Sequence, residues 1–267
     1  MKVLKRYARL YRVFVSQFFK TIVQSKANFF IGLIGFFLTQ ITGILFLYLV
    51  FEQIPVLADW NLDQLIFIYG FAQIPRGIDH LLTDNLWMLA WNLVVNGKFD
   101  RYMLRPMNLY MQVIFEKLQP DALGELLVGS ILIVISLQKG IVIISGVNIL
   151  LFVVSVLAGS VIYTAIKLLF ASFAFWIKVS GPVLYTAYQF ADFAKYPTGI
   201  YVKGVRFLIT WIIPFAFVAY LPAAYFLVPN VNAFSTIGVE CILSVAFFVF
   251  AYAVFIAGTK AYESAGN

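Results

Sequence analysis

Residues 28–51, with the sequence NFFIGLIGFFLTQITGILFLYLVF, form an uncharged and almost wholly apolar run. An α-helix rises about 1.5 Å per residue, so about 20 residues cross the ~30 Å hydrocarbon core of a bilayer. The whole chain of 267 residues is 63% hydrophobic and 12% charged, whereas a soluble domain carries about 25% charged residues. The composition excludes a soluble enzyme and predicts an all-α polytopic membrane protein, with room for about six to eight spans.

The distribution of charge predicts how the chain is oriented. Residues 1–27 hold seven Lys or Arg and no acid, and their apolar residues recur at three- and four-residue steps. This pattern is typical of an amphipathic helix that lies in the headgroup plane, and we predict one over residues 1–25. The next loop holds Glu52, Asp59 and Asp63 without a basic residue, so the positive-inside rule places the N-terminus in the cytoplasm and this loop outside. We therefore interpret the net charge of +7 as a topology signal and expect no nucleic-acid partner.

The apolar runs predict six spans, which leave both termini in the cytoplasm. Besides residues 28–51, the stretches that we assign wholly or partly to spans lie at about 63–95, 126–138, 147–178 and 235–258. Residues 179–204 are predicted to return to the cytoplasmic face, because they carry Asp192, Lys195 and Lys203.

Residues 207–239 form the longest uncharged run of the chain. As one straight helix this run would measure roughly 50 Å, which exceeds the ~30 Å core. It contains Pro214, Pro222 and Pro229, and each proline tends to kink or end a helix. We therefore predict that residues 207–234 form a fifth span followed by a broken or re-entrant segment near the outer surface.

No motif for catalysis or for metal binding occurs in the sequence. It lacks GxxxxGK[ST], HExxH and GxSxG, and its single histidine and single cysteine cannot build a multi-histidine or cysteine-rich metal site. Only Asp79 and Glu240 are predicted as carboxylates within the membrane, which does not favour a proton- or sodium-coupled carrier. If the chain moves a substrate, we expect a partner protein to supply the energy.

Five charged or polar residues within the spans are candidates for translocation or gating. Arg76, Asp79 and His80 share one helix face, which fits either a polar patch in a substrate path or an ion pair at the inner headgroups, with Arg76 reaching phosphate. Lys167, inside the fourth span, would reach the inner leaflet or pair with a carboxylate of another chain. Glu240 is near the outer end of the sixth span, where it would serve the path or simply be solvated.

Residues 97–108, GKFDRYMLRPMN, form a segment that we call the knuckle. Gly97 ends the preceding helix, Pro106 redirects the chain, and basic residues alternate with apolar ones. The knuckle would plug into a groove on a soluble partner, or it would be a plain loop between helices. If it docks, the polar contacts are predicted at Asp100, Arg101 and Arg105, and the apolar anchors at Phe99, Tyr102 and Leu104.

The pattern GxFDRYxLRPxN at 97–108 resembles the cytoplasmic signature of ABC-2-type exporter permeases. Three later blocks resemble the second half of the same proteins: Ala194–Pro197, Ile213–Phe217 and Tyr220–Ala223. Their order and spacing match, and the resemblance covers nearly the whole chain.

This resemblance implies one permease domain over residues 1–267 with the six-span fold of a type V exporter. Residues 1–25 would be the interfacial connecting helix, 97–108 the coupling region and the proline-rich part of 207–234 the re-entrant element. Two permeases would pair in the lipid of a bacterial cell membrane, the second being a similar but distinct chain or a second copy. Two cytoplasmic ATPase subunits would bind ATP and Mg, and no cofactor would belong to this chain.

The cargo implied is apolar or amphipathic, such as a drug, a peptide or a lipid-like molecule. An alternative from another class is a membrane scaffold or sensor that transports nothing and docks a cytoplasmic partner at the knuckle. The break predicted by Pro214, Pro222 and Pro229 favours the exporter, because a simple anchor does not need one.

Overall fold

The computed structural model of the chain describes residues 26–264, so the interfacial helix predicted over 1–25 lies outside the described residues. Within them the chain is helical and forms no β-strand, which confirms the predicted all-α class. Its helices of eight or more residues are α1 (Lys26–Gln53), α2 (Leu62–Thr83), α3 (Leu123–Gln138), α4 (Gly146–Ser172), α5 (Gly181–Gln189), α6 (Tyr220–Leu227) and α7 (Val239–Ala261). The shorter helical segments are Asn85–Met88, Leu89–Leu93, Asp100–Met103, Leu109–Phe115, Pro120–Ala122, Ala174–Ile177, Phe190–Lys195, Thr198–Ile200, Lys203–Phe207, Leu208–Ile212, Phe215–Phe217 and Phe234–Gly238.

Among residues 26–264, four helical stretches are long and apolar enough to cross a membrane, which confirms a multi-pass membrane protein. They are Phe30–Gln53, Pro120–Gln138, Gly146–Ile177 and Phe234–Ala261. A fifth candidate is a pair of helical arms, Lys203–Ile212 and Phe215–Leu227, which meet at an angle of 70°. Pro214 lies at this bend, Pro222 is the third residue of α6, and Pro229 follows the end of α6.

The two ends of the bundle are chemically distinct. At one end, which we call the acidic-loop end, Asp63 at the start of α2 forms an ion pair with Lys139 in the turn after α3. The hydrogen bond to Asp63 raises the pKa of Lys139. The opposite end carries the knuckle, and we call it the knuckle end.

Residues 181–200 run from one end of the bundle to the other. Gly181 lies against the indole of Trp91 at the knuckle end, since a Cβ built on Gly181 would be 2.1 Å from Trp91 Cε2. A Cβ on Gly199 would lie 3.5 Å from Cβ of Ala58 at the acidic-loop end. The prediction that residues 179–204 return to the cytoplasmic face is therefore wrong, because 181–200 extend between the two ends.

Both arms of the bent pair end near the acidic-loop end. In the first arm, Arg206 Nε donates to the carbonyl of Thr198 at 3.1 Å. In the second arm, the ring of Tyr220 lies 5.6 Å from that of Trp60, which precedes α2. Between the arms, the ring of Phe215 packs 5.4 Å from Tyr163, deep in α4. The pair is thus a hairpin, which we call the bent hairpin (residues 203–227).

Two glycines allow α2 and α3 to approach closely. A Cβ on Gly70 of α2 would lie 2.7 Å from Cβ of Leu132 and 3.3 Å from the Gly129 carbonyl oxygen. A Cβ on Gly129 would lie 2.9 Å from the Gly70 carbonyl oxygen and 2.8 Å from Ile74 Cγ1. Because backbone atoms of one helix meet those of the other, neither position has room for a side chain.

Replacing Gly129 with Ala is expected to destabilise the protein by about 1–3 kcal/mol, because the added methyl overpacks this contact. Gly35→Ala on α1 is the matched control, since no heavy atom lies within 4 Å of its Cβ position. The stability of the control should equal that of the unaltered protein or exceed it slightly, because Ala has a higher helix propensity than Gly. Thermal unfolding in detergent measures both, and equal midpoints for the two variants would contradict the close contact.

Candidate functional site

The charged residues of α2 reach three other elements instead of pairing with one another. Arg76 Nη1 donates to Oδ1 of Asp192 at 3.1 Å, and its Nε lies 3.5 Å from Oε1 of Glu125 at the start of α3. Two carboxylates of the same chain thus hold the guanidinium of Arg76, whose side chain is 30% exposed. Arg76 therefore joins α2 to α3 and to the segment after α5.

Asp79 is the point where α2, α4 and α5 meet. Its Oδ1 accepts from Thr83 at 2.6 Å and from Thr164 at 2.9 Å. Its Oδ2 accepts from Tyr188 at 2.7 Å and lies 2.8 Å from Nζ of Lys167. Four donors surround a fully buried carboxylate, so its charge is compensated within the chain.

Lys167 of α4 is the cation of this buried group. Its side chain is 1% exposed, and its Nζ lies 2.8 Å from Asp79 and 3.1 Å from Oδ1 of Asp84. Its Nζ also lies 5.5 Å from the ring centre of Tyr188. Both sequence alternatives for Lys167, contact with the inner leaflet and pairing with another chain, are wrong, because α2 brings two carboxylates of the same chain to it.

His80 lies among three carboxylates. Its Nδ1 is 3.4 Å from Glu125, and its Nε2 is 3.8 Å from Asp84 and 3.9 Å from Asp121. The side chain of Glu125 is only 5% exposed, and its Oε2 has no hydrogen-bond partner among the described residues. The polar patch predicted for Arg76, Asp79 and His80 therefore includes acids from α3 and from the end of α2.

These residues line a cleft of about 290 Å³ near the knuckle end. The lining residues are Arg76, Asp79, His80, Asp84, Trp87, Glu125, Lys167 and Tyr188. We call the cleft that these residues line the ionic cleft. Within residues 26–264, no group of three or more His, Cys, Asp or Glu side chains is arranged to hold a metal ion.

Glu240, the remaining predicted candidate, lies apart from the ionic cleft. Its side chain is fully buried against α4, where Ser155 Oγ donates to its Oε2 at 2.5 Å. The alternative that Glu240 is solvated at the outer end of its helix is wrong, because α4 covers it.

The knuckle begins with a tight turn and exposes only part of its apolar surface. Gly97 has a φ of +65°, a left-handed conformation that glycine adopts without strain. Leu104 is 85% exposed, whereas Phe99 and Tyr102 are buried. The prediction that Phe99 and Tyr102 are exposed anchors for a partner is wrong, because both rings pack inside the chain.

Both arginines of the knuckle, Arg101 and Arg105, lie at its surface. Arg101 forms an ion pair with Glu116, which also bonds the Tyr102 hydroxyl. Arg105 and Pro106 are exposed, next to Leu104. The surface open to a partner thus includes the tip formed by Leu104, Arg105 and Pro106.

A family model described as "ABC-2 family transporter protein" matches residues 37–266, which include the ionic cleft and the knuckle. This match covers most of the chain. The chain belongs to the ABC-2 transporter family. No curated protein and no solved structure matches it.

Membership of the ABC-2 family supports a membrane permease of an ABC transporter. Such a permease is typically a non-catalytic membrane component, and the family implies association with ABC ATPase subunits. The exporter-permease resemblance found at 97–108 and in the later blocks is confirmed at the level of this family.

Lys167→Met is expected to destabilise this permease by about 3–5 kcal/mol, because it leaves Asp79 and Asp84 buried without their cation. The double variant Asp79→Asn with Lys167→Met should lose less stability than the sum of the losses in the two single variants, because the two charges are coupled. Lys139→Met is the matched control, because its ion pair with Asp63 is exposed and should change stability little. Thermal unfolding in detergent gives the comparison, and a Lys167→Met midpoint equal to that of Lys139→Met would refute the pairing.

Proposed function

We propose that this permease exports an apolar or amphipathic cargo, driven by ATP and Mg bound to separate ATPase subunits. The chain would cross a bacterial cell membrane six times, as in type V exporters, with both termini in the cytoplasm. Residues 181–200 would be the fifth crossing. The bent hairpin would be the re-entrant element, which enters and leaves from the outside.

The balance of basic residues supports this orientation. Six lie at the knuckle end: Lys98, Arg101, Arg105, Lys117, Lys178 and Lys260. Seven more basic residues occur in residues 1–27. These residues precede or begin α1, and α1 starts near the knuckle end, because a Cβ on Gly32 would lie 3.7 Å from Cβ of Asp121. Only three lie near the acidic-loop end: Lys139, Lys203 and Arg206. The positive-inside rule then puts the knuckle in the cytoplasm.

The observation that carries the proposal is a polar stripe along the fifth crossing. The stripe consists of Tyr185, Gln189 and Asp192, at four- and three-residue steps that keep them on one face of α5 and of the helical turn that follows it. The Asp192 side chain is 53% exposed. The opposite face of the same segment is buried and apolar: Leu184, Ala187, Ala191 and Ala194.

Other spans present a different exposed surface. Their large exposed side chains are apolar, as lipid contact requires: Ile34, Leu38 and Ile41 of α1, Leu127, Ile131 and Val134 of α3, Leu150, Val153 and Leu157 of α4, and Ile242, Val245 and Val249 of α7. The polar stripe is therefore not the ordinary outer surface of this bundle.

The depth of the stripe makes contact with lipid unfavourable. Its Asp192 pairs with Arg76, which lies about 21 Å along α2 from Leu62 and so within a ~30 Å core. Exposed charge at such depth faces other protein or a water-filled cavity. The stripe supports a path for cargo, closed on its open side by a second permease, either a similar chain or a second copy. A scaffold that transports nothing would not need it.

Asp192→Cys, in a Cys241→Ser background, is expected to react with a charged, membrane-impermeant thiol reagent in native membranes. Water must reach the thiol for this reaction. Leu157→Cys on the exposed apolar face of α4 is the matched control and should stay unlabelled. Mass spectrometry measures the extent of labelling of the two proteins. Equal, negligible labelling at both positions would contradict the path and favour the scaffold.

The tip of the knuckle is the proposed contact with the ATPase. Leu104 is an apolar side chain held in water, with Arg105 and Pro106 beside it. Apolar and Arg side chains that become buried tend to dominate the energy of an interface. The buried Phe99 and Tyr102 would hold the tip in place from within.

Leu104→Glu is expected to abolish co-purification of the ATPase, because it puts a charge into the docking groove. Ile143→Glu is the matched control, since Ile143 is 77% exposed in the turn at the acidic-loop end. Pull-down from native cells in mild detergent, with an ATP-hydrolysis assay, measures both variants. Recovery of the ATPase with Leu104→Glu at the level of the control would argue against docking at the tip. Recovery of a second permease chain would decide between a heterodimer and two copies.

A further inference from the structure

Phe99 anchors the knuckle in a triangle of aromatic rings. Its ring centre lies 4.9 Å from that of Phe175, just beyond α4, and 5.2 Å from that of Tyr262, which directly follows α7. The rings of Phe175 and Tyr262 are 6.0 Å apart. Each ring therefore contacts both of the others, and the knuckle is held by the ends of α4 and α7.

Two polar contacts join the knuckle to the last helix as well. Ser264 Oγ donates to Oδ2 of Asp100 at 2.6 Å, and Asn108 Nδ2 donates to the hydroxyl of Tyr252 at 2.7 Å. The knuckle is thus bonded to α7 and its extension near both of its own ends. Burial raises the pKa of Tyr262 to about 12.

The far end of the same helix reaches the bent hairpin. Residues Phe234–Ala261 are one continuous helical stretch, and Ile237 near its start belongs to the same apolar cluster as Ala223 and Phe226 of α6. A continuous helix moves largely as a rigid body, so a shift at one end is felt at the other.

We propose that α7 carries the movement of the knuckle to the bent hairpin, with Phe99 and Tyr262 as the positioning residues that join knuckle and helix. This inference rests on the proposed docking of an ATPase at the knuckle. Closely packed rings must move together, because packed cores deform little. The outward end of the path is then driven through the last helix.

The test places a thiol at the far end of α7 and asks whether nucleotide changes its reactivity. The reporter is Ser235→Cys in a Cys241→Ser background, because Cys241 is the single cysteine and Ser235 is exposed at the acidic-loop end. The complex with its ATPase is placed in lipid nanodiscs. Labelling by an impermeant maleimide is timed without nucleotide and after trapping with ATP and vanadate.

We expect a several-fold change in the labelling rate on trapping. Tyr262→Ala should remove this change while the ATPase still co-purifies. Tyr262→Phe keeps the aromatic ring, so this variant should still show the change in labelling rate. Phe99→Leu, which removes a ring but keeps apolar volume, serves as a second variant if Tyr262→Ala fails to fold, and it should also remove the change.

Two results would overturn the inference. One is a nucleotide-dependent change that persists in Tyr262→Ala with the ATPase bound. The other is a reporter that does not respond in the complex with unaltered Phe99 and Tyr262. Absence of any ATPase from that complex is a separate result, because it would refute the proposed docking and the inference with it.

Discussion

The buried carboxylate of Asp79 is the contact on which the bundle depends. A lone charge inside an apolar bundle is costly, and here donors from α2, α4 and α5 surround it. Lys167 adds the opposite charge and bonds Asp84 at the same time. Separating α2 from α4 would leave a buried charge unpaired, and loss of α5 would remove one of its hydrogen-bond donors, so the three helices are held as a unit. The exposed Asp192, paired with Arg76, extends this group to the polar stripe.

The sequence predicts well those parts of the fold that depend on local composition. The uncharged run of α1 and the bend at Pro214 follow from helix length and from proline chemistry. The prediction for residues 181–200 is wrong because hydropathy treats each charge separately. Asp192 is compensated by Arg76 and by Lys195, and the first of these lies more than a hundred residues earlier in the chain. Compensation between distant charges is a property of the folded state, and no local pattern contains it.

The candidate site shows the same division between local and distant information. The helical spacing of Arg76, Asp79 and His80 predicts a polar patch, but the acids that complete it, Asp84 and Glu125, are identified only in the folded chain. In the knuckle, alternation of basic and apolar residues predicted an amphipathic segment. Whether Phe99 faces a partner or its own chain depends on Phe175 and Tyr262, which are remote in sequence.

The pairing of Lys167 with Asp84 and Asp79 has a consequence for how the protein is made. Lys167 is synthesised 83 residues after Asp84, which takes roughly 4 to 17 s at about 5–20 residues per second. During that interval α2 carries its acids without their cation. Burying Asp79 in an apolar bundle without that cation is costly, so the stability of α2 in its final position depends on a helix that is made later.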